Sequence, residues 1–125
     1  MVKLLEGVVK QGSGGRLKWK YGLNNQIAAK TGTTQNHSDG WFIGFTPELV
    51  TGVWTGADNR AVRFRDLHMG QGAEMALPIW ANYMSSLYND NSINISREDF
   101  PFPESGVSVI LDCNKIKEIN NDDEF

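Results

Sequence analysis

The stretch Lys30-Thr31-Gly32-Thr33-Thr34 places an ammonium, three hydroxyls and a glycine in consecutive positions. In an extended chain successive side chains alternate between faces, so Thr31 and Thr33 share one face and Lys30 points the other way. Two hydroxyls on one face can grip a single carboxylate, because each supplies an O–H donor. Gly32 has no side chain and lets a substrate backbone lie against the strand. Lys30 offers a cation beneath the same site. A free backbone N–H on that edge could stabilise an oxyanion, a contribution of about 3 kcal/mol per donor in well-studied cases. The chemistry in view is the binding of an anionic peptide end and the polarisation of a carbonyl beside it.

Other chemistry-bearing residues give weaker signals. His37 lies in the polar turn Gln35 to Asp39 and reads either as a substrate contact or as an exposed turn histidine. Asp39 reads as a turn cap or as a residue that orients site groups. His68 and Cys113 have no metal-ligand spacing with each other or with His37, so no metal is expected. Gly12-x-Gly14 and Gly70-x-Gly72 lack the third glycine of a dinucleotide loop, and Ala29-Lys30-Thr31 lacks the upstream glycines of a phosphate loop. No organic cofactor is expected.

The elements that must position the strand follow from hydrophobic spacing. Leu4, Leu5, Val8 and Val9 predict a short amphipathic helix over Val2 to Gln11, and Gly12, Ser13, Gly14 and Gly15 predict its exit through a left-handed turn. The helix starts with no N-cap in front, which reads as an entry made in the middle of a longer protein. Three strands follow, over Gln26 to Thr34, Gly40 to Thr46 and Leu49 to Ala57. Pro47 and Glu48 form a two-residue corner that makes the last two an antiparallel hairpin. Both hairpin strands are apolar on both faces, which predicts a sheet covered on both sides, with Trp41, Trp54 and Trp80 in the core. Asp58 to Gly70, with Arg60, Arg63 and Arg65, reads as a loop. Ala76, Ile79, Trp80, Tyr83, Met84, Leu87 and Tyr88 follow one helix face, with Pro78 at an early turn or a kink. Val107 to Leu111 reads as a small strand and the acidic end as frayed.

Composition sets the outer bounds. With 40% hydrophobic and 22% charged residues in 125, the chain is that of one folded domain or a piece of a larger one, not of a linker or tail. Its apolar stretches fall short of the ~20 residues that a bilayer span needs. The net charge of −3 arises from the acidic end, whereas the first thirty residues set six basic side chains against Glu6 alone. That local cationic zone suits a carboxylate or phosphate ligand but is no nucleic-acid stripe.

Lys30-Thr31-Gly32 resembles the third motif of the penicillin-recognising serine enzymes. The resemblance extends, in order, through Ala29 to Thr34, Asp39 to Pro47 and Val50 to Gly56, to the transpeptidase domain of class A bifunctional penicillin-binding proteins. Ala76 to Trp80 with Met84 is similar to that family's C-terminal helix, and Leu5 to Val9 to the helix before the motif strand. The resemblance implies an α+β fold, an antiparallel sheet packed against helices, over residues 1–104, with 105–125 as an acidic, partly disordered extension. It implies that Thr31 and Thr33 bind the carboxylate of a peptidoglycan stem peptide ending in D-Ala-D-Ala, or of a β-lactam. Lys30 would join the proton network, the Thr33 N–H would be an oxyanion donor, and Gly32 and Thr34 would line the substrate strand. The family's reaction is serine attack on the penultimate D-alanine carbonyl, release of the last D-alanine, and transfer of the acyl group to a neighbouring amine.

The departures from the family pattern matter equally. No serine in the chain has a lysine three residues later, and Ser92-Ile93-Asn94 lies after the motif strand, where the family carries its Ser-x-Asn before it. The expectation is therefore an incomplete, inactive portion of a transpeptidase, with the glycosyltransferase domain and membrane anchor upstream and the parent on the periplasmic side of a bacterial inner membrane. The rest of that domain is the expected partner, and self-association is expected of the isolated chain. A carboxypeptidase or β-lactamase piece, and a non-catalytic module that binds peptide carboxylates, are the competing readings.

Overall fold

Three antiparallel strands, β1 (Ala28–Thr33), β2 (Asp39–Phe45) and β3 (Val50–Gly56), form a sheet in the order β1-β2-β3 in the computed structural model, which describes residues 1–106. Helix α1 (Val2–Lys10) packs on β1, and the longer α5 (Leu77–Asn89) on β2 and β3. The short α3 (Leu67–Gly70) sits at the end of the segment read from sequence as a loop, and the short α2 (Arg16–Trp19) and α4 (Gly72–Met75) lie in segments to which the sequence assigned no element. The fold is α+β, an antiparallel sheet with helices against it, as the resemblance implies. The expected strand over 107–111 and the frayed acidic end lie outside the described residues.

The hairpin closes where the proline predicts. Thr46 N–H donates to the Leu49 carbonyl at 2.9 Å, and Leu49 N–H donates to the Thr46 hydroxyl at 3.3 Å, leaving Pro47 and Glu48 as the corner. Register then decides which residues share a face, because directly opposed residues in an antiparallel pair project to the same side. Ala29 opposes Gly44, which opposes Thr51, and Thr31 opposes Phe42, which opposes Val53. This inner face meets Trp80 and Leu77 of α5 and Val9 of α1 in the core. Phe42 and Trp80 meet edge to face, with centroids 5.3 Å apart. The indole N–H donates to the Thr51 carbonyl at 3.2 Å, so even the polar atom of this fully buried side chain is satisfied.

The other face departs from expectation. Trp41, Ile43 and Trp54 lie on it and remain 44%, 44% and 47% exposed. Trp80 is a core residue; Trp41 and Trp54 are not. The physical reason is the placement of the helices, all of whose buried apolar side chains serve the inner face. Among the described residues, the outer face is covered at one corner, where Phe100 meets Phe45 edge to face at 5.6 Å and its N–H donates to the Gln26 amide oxygen at 3.1 Å. Helix α5 likewise buries Leu77, Trp80, Ala81 and Met84, while Ile79 and Tyr83 stay about half exposed. Pro78 falls in the first turn of α5, where its missing N–H costs no helical bond.

The exit from α1 also differs. Gln11 closes the helix at φ −139°, and the described glycines with positive φ are Gly22 and Gly106, so the 12–15 stretch makes no left-handed turn. Those glycines are there for closeness instead. A Cβ on Gly12 would stand 2.9 Å from the Val8 carbonyl oxygen, and Gly14 N–H donates to that same carbonyl at 3.0 Å.

Candidate functional site

Among the described residues, strand β1 lies at an edge of the sheet, with β2 alone beside it. Thr34 N–H donates across the turn to the Asp39 carbonyl at 3.2 Å. Backbone amides alternate along an antiparallel strand, so the N–H groups of Thr33 and Thr31 face the unpaired edge. The same strand runs out of the core as it proceeds: Ala28 and Ala29 are buried, Thr31 and Gly32 partly exposed, and Thr33 exposed. Hydroxyls and free amides therefore reach solvent together at the end of the strand.

Both hydroxyls are pre-oriented by residues that the sequence reading left unassigned. Thr31 Oγ1 lies 2.9 Å from Ser13 Oγ, in the glycine-rich turn after α1. Thr33 Oγ1 accepts a hydrogen bond from Gly72 N–H at 3.1 Å. A hydroxyl whose lone pair is taken by an amide has its own proton free to donate to an anion. Gly72 can approach this closely only because it is glycine, since a Cβ there would collide with the carbonyl oxygens of Trp41 and Gly32. Ser13 and Gly72 gave a faint signal in the sequence, a polar residue and a gap within glycine clusters, but nothing that named their partner.

An ion pair ties the two supports together. Arg16 of α2 pairs with Glu74 of α4, and its second nitrogen donates to the Ala73 carbonyl at 3.3 Å. The Arg16 guanidinium holds the Glu74 carboxyl below its ordinary pKa, and the Glu74 carboxylate raises Arg16. The serine turn and the Gly72 helix start are thus clamped on either side of the strand end.

The remaining predicted residues are placed as follows. Lys30 projects to the outer face beside Ile43, and its Nζ donates to the Thr31 carbonyl at 2.8 Å. Thr34 holds the turn that follows the strand: its Oγ1 lies 3.0 Å from Ser38 Oγ and accepts from Asp39 N–H at 3.2 Å. Asp39 is buried, and Ser38 Oγ donates to its carboxylate at 3.3 Å, so it organises the turn. His37 is partly buried rather than freely exposed. It has φ 57° after Asn36 at φ 62°, and its Nδ1 is buried with no partner among the described residues. Ser92-Ile93-Asn94 lies beyond α5 and touches none of these groups.

The geometry can bind a carboxylate through the two threonine hydroxyls and offer amides to a carbonyl oxygen. Among the described residues no group of three or more His, Cys, Asp or Glu side chains could hold a metal ion, and no helix is long and apolar enough to cross a membrane.

No protein-family profile matches the chain. It is 38% identical over 108 residues to penicillin-binding protein 1A of Aquifex aeolicus, covering 86% of this chain and 14% of that protein. It is 36% identical over 113 residues to penicillin-binding protein 1A of Pseudomonas aeruginosa, covering 90% of this chain and 12% of that one. The crystal structure of penicillin-binding protein 1A from Haemophilus influenzae superposes with a TM-score of 0.59 at 26% identity, over 76% of this chain and 15% of that structure. The chain thus spans only about a seventh of the length of the relatives it matches. Within that span, sequence and fold agree that it belongs to the penicillin-binding protein family.

Proposed function

We propose that this chain supplies the substrate-carboxylate and oxyanion strand of a serine D,D-transpeptidase that cross-links peptidoglycan stem peptides and is acylated by penicillins. The observation that carries the reading is the exit of Thr31 and Thr33 from the core at a free strand edge, with both hydroxyls held by Ser13 and Gly72. A peptide ending in D-Ala-D-Ala lies along that edge beside Gly32, its terminal carboxylate on the two hydroxyls. The penultimate carbonyl then lies against the edge amide of Thr33. Attack by a serine outside these 125 residues puts negative charge on that carbonyl oxygen, where the amide stabilises it. The C–N bond breaks, D-alanine leaves with a proton, and a neighbouring amine takes the acyl group. Lys30 sits on the strand's other face, fixes the Thr31 carbonyl, and contributes positive charge to the strand. Residues 1–104 form the transpeptidase portion in this reading, the rest of that domain is the partner, and the parent works on the periplasmic side of the inner membrane.

The test is reversible binding of acetyl-Ala-D-Ala-D-Ala to the chain, followed by calorimetry. Thr33→Val removes one hydrogen bond to a charged group, worth about 1.5–3 kcal/mol, so affinity should fall at least tenfold. Mass spectrometry after incubation with penicillin should find no covalent adduct, since no Ser-x-x-Lys is present. Unchanged affinity in Thr33→Val, or a serine-linked adduct on this chain, would overturn the proposal.

A further inference from the structure

Beyond the C-terminal end of β1 lies a cavity of about 490 Å³ whose walls include Thr33, Asn36, Arg60 and Arg63. We infer that this cavity is a second anion site, which holds a side-chain carboxylate of the same peptide whose terminal carboxylate is gripped by Thr31 and Thr33. The inference rests on the reading of β1 given above and names a further feature of its substrate, a second negative charge.

Three observations carry it. First, both guanidiniums come from the segment that follows β3, and among the described residues neither pairs with a carboxylate, whereas Arg16 does. A planar fork of donors matches a carboxylate in two parallel hydrogen bonds. Second, Thr33 lines the cavity as well as the free edge, so one ligand can reach both without leaving the strand. Third, the wall formed by the Gln35–His37 turn is held in a costly shape. Asn36 and His37 are consecutive non-glycine residues in the left-handed region, retained by Phe64 N–H donating to the His37 carbonyl at 3.3 Å. That same contact anchors the arginine-bearing segment to the turn. A neighbouring cavity of about 300 Å³ shares Arg63 and is lined by Val62, Phe64 and Met75, so an acid on an aliphatic stem finds apolar cover beside the charge.

The experiment compares acetyl-Ala-D-Ala-D-Ala with acetyl-Glu-D-Ala-D-Ala on the full chain by calorimetry at low salt. The acidic peptide should bind about fivefold more tightly, the equivalent of roughly 1 kcal/mol for exposed charge pairs, and the preference should shrink as salt is added. Arg60→Gln with Arg63→Gln should abolish the preference and leave the neutral peptide unchanged; Arg60→Lys with Arg63→Lys should keep most of it, separating charge from folding. Equal binding of both peptides by the wild-type chain overturns the inference and leaves the strand reading intact. So does an equal loss for both peptides in the glutamine variant. Binding of neither peptide overturns both.

Discussion

Gly44 is the position where a single methyl group tests how the motif strand is held. It opposes Ala29 of β1, one residue before Lys30, and its inner side faces the Trp80 ring. A Cβ at Gly44 would stand 2.5 Å from Cζ2 and 2.7 Å from Cε2 of that ring. Carbon atoms rest no closer than about 3.5 Å, so the indole must retreat by roughly 1 Å. It has little freedom to do so, because its N–H is bonded to the Thr51 carbonyl and its ring packs edge to face with Phe42. Overpacking of this kind costs about 1–3 kcal/mol, and loss of the indole hydrogen bond adds about 1 kcal/mol. We expect Gly44→Ala to destabilise the chain by about 3 kcal/mol. Urea unfolding followed by tryptophan fluorescence should show a midpoint lower by about 2 M at an m-value of ~1.5 kcal/mol/M, with m unchanged. Trp80→Phe vacates the clashing space, so the double variant should be more stable than the sum of the single changes by at least about 1 kcal/mol. A Gly44→Ala variant within about 0.5 kcal/mol of wild type, or a strictly additive cycle, would refute the packing argument.

Three other outcomes are expected. Burial pushes the Glu6 carboxyl up, but Lys10 at 2.6 Å and Lys3 at 3.3 Å more than offset it, so its pKa lies below the ordinary 4.5. Its contribution is therefore present above pH 4.5 and lost as pH falls through the depressed value; Glu6→Gln should flatten the acid limb of a stability–pH curve, and an unchanged limb would reject this. Arg16→Gln should weaken acetyl-Ala-D-Ala-D-Ala binding about threefold by loosening the Gly72 support of Thr33, with an affinity equal to wild type counting against the clamp. The half-exposed Trp41, Ile43 and Trp54 face should make the isolated chain self-associate with concentration in sedimentation velocity, and Trp54→Thr should reduce it; a monomer at all concentrations would contradict this.

Much of the fold was legible in local spacing. The Pro47-Glu48 corner set the hairpin register, and the three-four repeat set α1 and α5, because these signals act between near neighbours in sequence. What escaped was non-local. The apolar residues of β2 and β3 suggested cover on both faces, yet alternation carries no information about which helix lies where, and the Trp41 face stays half open. Helices α3 and α4 are four residues each, too short for a hydrophobic period to register. At the site, the two-hydroxyl face was readable from Thr31 and Thr33 alone. Ser13 and Gly72 were not, because their roles depend on hydrogen bonds to residues 18 and 39 positions away.

The clamp between Arg16 and Glu74 joins residues 58 apart, while the hairpin joins neighbours across a two-residue corner. Loop-closure entropy sets the order in which such contacts form: the hairpin nucleates early, and the grip on the strand end arrives after it. During refolding, fluorescence from the hairpin tryptophans should recover before affinity for a D-alanyl peptide, so the chain passes through a stage that is structured but cannot yet hold its ligand.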